Sequence, residues 1–208
     1  MKKLLYCCII ALLALSCRKT NPDTTATAAI FPDKVGNSWL YQVNDTAYSF
    51  ANPAIITQYN MTVTITDSVT LAGGIKANRW VYSLPGGNDT NYVFKKADTI
   101  SFISNNRFAM ELIRQYIAPL QLHQSWMYSF SSVNNVSVAA QATITVGQQQ
   151  FENAFNIKGF PGRPDEIIGI DEWFEDYVGI VKRYVNTSGS NNPYKYRRLW
   201  TLLSYQVE

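Results

Sequence analysis

The sequence predicts a mostly-β protein: a single antiparallel sheet, strongly curved or closed to a barrel, with one short helix. Three observations carry that expectation. Apolar and polar residues alternate with period two over many short stretches, the pattern of half-buried strands. Gly, Asn, Asp and Pro cluster between those stretches at short intervals, as turns do. Aromatic residues make up 13% of the chain, with 13 Tyr and 5 Trp spread along it, and long Glu/Lys/Ala-rich helical runs are missing. That usage suits pleated surfaces.

Taken in order, residues 38–43 place Trp39, Tyr41 and Val43 on one face. Residues 59–69 alternate most clearly, with Met61, Val63 and Ile65 against Thr62, Thr64 and Thr66. Ala72-Gly73-Gly74 turns the chain, residues 77–84 continue as strand, and Pro85-Gly86-Gly87-Asn88-Asp89 is dense turn chemistry. Strands are expected next at 91–96, 99–103, 125–130, 133–146, 149–157, 172–185 and 195–207, with turns at 134–135, 159–164 and 188–193. Residues 107–120 differ: Leu112, Ile113, Tyr116, Ile117 and Leu120 recur at helical spacing and predict the short helix. Roughly ten strands with short connections imply a meander packed on one face. Trp39, Trp126, Trp173 and Trp200 are its largest expected core pieces, each able to bury on the order of 200 Å².

A chain of 208 residues suits one domain. Its start is set apart from that domain. Lys2 and Lys3 precede an apolar stretch from Leu4 to Leu15, too short for a lasting membrane span of about 20 residues. The stretch ends in Ala14-Leu15-Ser16-Cys17, which resembles the lipobox of bacterial lipoproteins, with Ala14 and Leu15 exchanged from the usual order. The expected organisation is a signal peptide over 1–16, a flexible tether over 17–29 acylated at Cys17, and a single β domain over 30–208. Cysteine usage agrees: Cys7, Cys8 and Cys17 are the only three, so the mature chain keeps one thiol and forms no internal disulfide. Lys+Arg total 18 against Asp+Glu 15, and without Lys2 and Lys3 the balance is 16 against 15. That is no nucleic-acid footprint.

Several phrases, in order, resemble those of uncharacterised Bacteroidetes-type envelope lipoproteins. They are Phe31-Pro32 with Gly36-Asn37-Ser38-Trp39 and Tyr41, Pro119-Leu120 with Trp126, Val146-Gly147 with Phe151 to Phe155, Trp173-Phe174 with Val178 to Lys182, and Leu202 to Tyr205. The resemblance runs from residue 31 to the end. It implies a curved antiparallel sheet in the envelope, a half-barrel or lipocalin-like barrel, and transfers no catalytic residue.

No catalytic or metal constellation is expected. His123 is the only histidine, no Ser sits in a G-x-S-x-G elbow, and one His with one acylated Cys cannot furnish a zinc site. No cofactor is implied, since there is neither a P-loop nor a dinucleotide glycine fingerprint. The acidic run Asp165, Glu166, Asp171, Glu172, Glu175, Asp176 is the best enzyme candidate, with Asp171, Trp173 and Glu175 on one face. A solvated loop and exposed strand face explain it more simply. Five of nine Asp are followed by Ser or Thr. Asp45-Thr46-Ala47, Asp67-Ser68-Val69 and Asp98-Thr99-Ile100 resemble the O-glycosylation motif of Bacteroidetes exported proteins, so Thr46, Ser68 and Thr99 are candidate acceptors.

The expectation is therefore a non-enzymatic outer-membrane lipoprotein, on the periplasmic or surface face, joined to the membrane through its N-terminal lipid. An apolar or amphipathic ligand is favoured because curved sheets make concave, aromatic-lined sites. The alternatives are a glycan-binding or outer-membrane assembly component and, behind these, a carbohydrate-active enzyme.

Overall fold

The computed structural model describes residues 31–49, 52–105, 110–128, 135–160, 166–189 and 194–208. The expected signal peptide, the expected tether and Cys17 lie outside these residues. The strands are β1 (Ser38–Ser49), β2 (Asn52–Thr70), β3 (Lys76–Leu84), β4 (Gly87–Lys96), β5 (Thr99–Asn105), β6 (Met110–Ile117), β7 (Ser125–Met127), β8 (Asn135–Val146), β9 (Gln149–Phe160), β10 (Glu166–Glu175), β11 (Gly179–Gly189) and β12 (Tyr194–Gln206). They form one antiparallel sheet in the order β6-β5-β4-β3-β2-β1-β12-β11-β10-β9-β8-β7. The sheet is a nearly closed barrel. Its two edge strands meet where the Gln115 amide donates to the Tyr128 carbonyl at 2.7 Å and Trp126 Nε1 donates to the Gln115 carbonyl at 2.8 Å.

Alternation decides which side chains fill the barrel. Trp39, Tyr41 and Val43 of β1, Met61, Val63 and Ile65 of β2, and Trp80 and Tyr82 of β3 are all buried. Thr62, Thr66, Ser68, Lys158 and Lys182 are exposed on the outer surface. An apolar, aromatic interior under a polar exterior is the reverse of a membrane-spanning barrel. No helix among the described residues is long and apolar enough to cross a membrane.

Two expected elements are corrected. Residues 110–117 form the strand β6, not a helix; residues 107–109 lie outside the described residues. The inward residues are Arg114 and Tyr116, both buried, so a charged residue occupies a position where alternation predicts an apolar one. With Arg114 read as polar, the remaining apolar residues fall by coincidence on a helical period. The single strand expected over 172–185 is two, β10 and β11, joined by a tight turn at Asp176-Tyr177-Val178. Gly179, just beyond that turn, has φ +94, and a Cβ there would come within 3.3 Å of Pro32. Among the described residues the total is twelve strands, against roughly ten expected.

Connections alternate between the barrel ends. The N-terminal segment enters at the end that also carries turns 71–75, 97–98, 118–124, 147–148 and 176–178. This segment seals it. Phe31 inserts among Trp80, Phe102, Tyr116 and Phe174, with ring centroids 5.8, 6.0, 6.3 and 5.8 Å away. Asn78 Nδ2 donates to the Asp33 carbonyl at 2.7 Å, Trp80 Nε1 donates to Asp33 Oδ1 at 3.2 Å, and Lys95 Nζ donates to the Phe31 carbonyl at 3.2 Å.

Candidate functional site

The chemistry of the interior centres on Glu172, which is fully buried on β10. Tyr116 of β6 donates to its Oε2 at 2.7 Å, and Tyr128, just past β7, donates to its Oε1 at 2.8 Å. Arg183 of β11 places Nε 2.8 Å from Oε1, although that N–H is not aligned for a hydrogen bond. One carboxylate thus ties together strands from both sides of the closing seam. Arg114, 4% exposed, lies over the Phe102 ring at 4.1 Å and donates to Tyr82 Oη at 3.0 Å. Arg183 stacks over Trp200 at 4.8 Å. Charges so deep persist only when paired and hydrogen-bonded.

Burial pushes the phenols of Tyr41, Tyr116 and Tyr128 up from their ordinary value of 10.0, and the Glu172 carboxylate pushes Tyr116 and Tyr128 up further. The native state therefore keeps protons that the unfolded chain releases above pH 10. The stability these phenols represent is complete below pH 10 and declines as pH rises past it toward the folded values. Alkaline unfolding should accordingly begin above about pH 10. Phenolate absorbance should appear together with loss of the folded signal. Phenolate that forms while the barrel stays folded would contradict this arrangement.

Among the described residues the space inside is small. A cavity of about 20 Å³ lies among Trp39, Tyr41, Tyr82, Phe102, Arg114 and Trp200, enough for roughly one water molecule. Larger spaces lie outside. A groove of about 540 Å³ at the N-terminal end is lined by Phe31, Pro32, Lys34, Tyr177 and Val207, among others. A second, of about 750 Å³, is lined by Ile75, Lys76, Phe94, Lys95, Lys96 and Thr99, among others.

The residues singled out in the sequence are dispersed. Trp39, Trp126 and Trp200 are core, as expected, whereas Trp173 is half-buried on the outward side of β10. Asp171 and Glu175 share that outward side. Four residues apart on one strand, they are about 13 Å apart, beyond the ~5–9.5 Å of a glycosidase pair. Asp171 instead accepts from Asn156 Nδ2 at 2.6 Å. Asp165 lies outside the described residues. His123 is exposed in the turn after β6, and no group of three or more His, Cys, Asp or Glu among the described residues could hold a metal. Thr46, Ser68 and Thr99 sit on β1, β2 and β5; Ser68 is exposed and the other two are half-buried. Sequence reasoning missed Phe31, Arg114, Tyr128 and Arg183, and it placed Glu172 in an exposed acidic run. The outward bias of its neighbours Asp171 and Glu175 concealed it.

No family model and no curated protein matches the chain. Two solved structures are similar in outline. A candidate lipoprotein from Parabacteroides distasonis aligns at 14% identity and a TM-score of 0.40, over 85% of this chain and 98% of that one. A DUF1329 family protein from Desulfovibrio piger aligns at 8% identity and a TM-score of 0.25, over 89% and 90%. Neither alignment bears on activity.

Proposed function

We propose that this chain is a non-enzymatic envelope lipoprotein, acylated at Cys17 and held on the outer membrane. Its barrel acts as a rigid binding module for an amphipathic molecule. The observation that carries this reading is where the space lies. Among the described residues the interior is filled by the chain's own rings and its carboxylate is fully occupied, while the outer grooves combine apolar surface with lysines. In the larger groove Ile75 and Phe94 would take the apolar part of the ligand, and Lys76 and Lys96 its anionic part. Specific sites of this kind pair an apolar lining with a few charged groups.

A second reading, an outer-membrane assembly component, is favoured by the β1–β2 hairpin. Ile55 and Ile56, consecutive on β2, are 67% and 70% exposed. Adjacent residues point to opposite faces of a strand, so both faces of the hairpin are bare there, as suits a partner-binding arm.

Native mass spectrometry with organic extraction, on protein from its own host, tests these readings together. Acylation adds a lipid mass that Cys17→Ser abolishes. A bound amphipath appears as a reproducible extractable mass, reduced about tenfold by Lys76→Glu with Lys96→Glu, since two surface ion pairs contribute up to ~1 kcal/mol each. Glycans on Thr46, Ser68 or Thr99 would add hexose-type increments. A bare polypeptide mass that added envelope lipids leave unchanged would overturn the ligand reading. Co-purification of a protein lost on Ile55→Ser with Ile56→Ser would favour the second.

A further inference from the structure

The buried network carries unequal charge. Arg114 and Arg183 supply two guanidinium groups to the barrel interior, and Glu172 supplies one carboxylate. The surrounding phenols stay neutral because burial pushes Tyr41, Tyr116 and Tyr128 up. Arginine does not lose its proton in a protein, so this excess cannot be relieved by titration. An uncompensated buried cation is strongly disfavoured.

Two of the buried donors without an acceptor belong to residues that line one cavity. Arg114 Nε and Trp200 Nε1 are buried with no acceptor, and the two residues are only 4% and 7% exposed. Tyr82 accepts from Arg114 through its hydroxyl oxygen and so keeps its own proton to give. All three residues line the cavity of about 20 Å³, and no carboxylate does. Tyr41, also in the lining, directs its hydroxyl proton to the Ile180 carbonyl at 2.8 Å. Buried polar groups in folded proteins are almost always paired, so three donors around one space call for an acceptor inside it.

We infer that this cavity binds a single small monovalent anion of halide size. Water has a suitable volume, but it is neutral and would bring two protons to a mainly aromatic lining whose unpaired polar groups are donors. A tetrahedral phosphate or sulfate is larger than the roughly one-water space. A chloride-sized ion accepts from the Arg114 guanidinium, the Trp200 indole and the Tyr82 hydroxyl, and it brings the interior to electrical balance with Arg183 and Glu172. Nothing in this site depends on the lipid anchor or on the outer grooves.

The full-length lipoprotein in detergent tests the assignment. Thermal unfolding is compared in potassium chloride, bromide and gluconate at one ionic strength. A ligand that binds only the native state stabilises it by mass action, so chloride and bromide should raise the midpoint saturably and gluconate should not. Trp200→Phe keeps the ring and removes the N–H, and should weaken halide binding by about tenfold. Arg114→Met should abolish the halide dependence. Crystals grown in bromide should give one anomalous peak within hydrogen-bond distance of Trp200 Nε1 and Arg114. Equal midpoints in halide and gluconate, or a cavity without an anomalous peak, would overturn the assignment. The bromide map on the unaltered protein decides the matter even if Arg114→Met does not fold.

Discussion

Replacing Glu172 with leucine is expected to destabilise the barrel by about 3–5 kcal/mol, the cost of stranding buried charge. Two effects combine. Arg183 loses the carboxylate 2.8 Å from its Nε, and the hydroxyls of Tyr116 and Tyr128 lose the oxygens they donate to. For a chain of this size that corresponds to a fall of roughly 10 °C in the thermal midpoint. Glu172→Gln should cost less, because the amide keeps the volume and one acceptor. The diagnostic variant is Glu172→Leu combined with Arg183→Met. Removing both partners of a buried pair is far milder than removing one, so the double variant should recover much of the loss. Urea unfolding is the measurement, with an unchanged slope showing that the native state alone is affected. Losses that simply add, with the double variant below Glu172→Leu by the full cost of Arg183→Met alone, would mean that the two residues contribute independently.

This network also marks how far the sequence could be read. Strands with clean alternation were legible: β2 declares itself through Met61, Val63 and Ile65 against three threonines, and those three are the ones the barrel buries. The same logic failed where polar residues point inward. Arg114 interrupts the alternation of β6 and made a strand resemble a helix, and Glu172 looked like one more surface acid. Burying a charge runs against single-residue preference and is tolerated only through partners distant in sequence. Tyr116 and Tyr128 lie 56 and 44 residues from Glu172, a separation that no local pattern encodes. The β10–β11 turn was hidden for a different reason. Asp176 and Gly179 are the turn-favouring types there, but they flank the bulky Tyr177 and Val178, and the left-handed geometry falls on Tyr177, with φ 65.

Phe31 was visible as part of a phrase, Phe31-Pro32, but not as a core residue, because it precedes the first strand. Phe31→Ala is expected to cost about 3–5 kcal/mol, the usual loss for a buried phenylalanine, since four aromatic neighbours lose their contacts together. The vacated space would join the cavity of about 20 Å³ that Phe31 already borders. The part that Phe31 vacates is bordered by four rings, and engineered cavities with apolar walls take up small aromatic guests. Benzene should therefore restore part of the stability of Phe31→Ala and leave the unaltered protein unchanged, which calorimetric unfolding with and without benzene can measure. Full loss without rescue would mean that Phe31 mainly anchors the sealing segment, through its carbonyl and the neighbouring Asp33 contacts. Rescue would mean that the barrel contains a ready apolar site occupied by its own N-terminal segment. An apolar ligand could then reach the interior only by displacing Phe31, at a cost this variant measures directly.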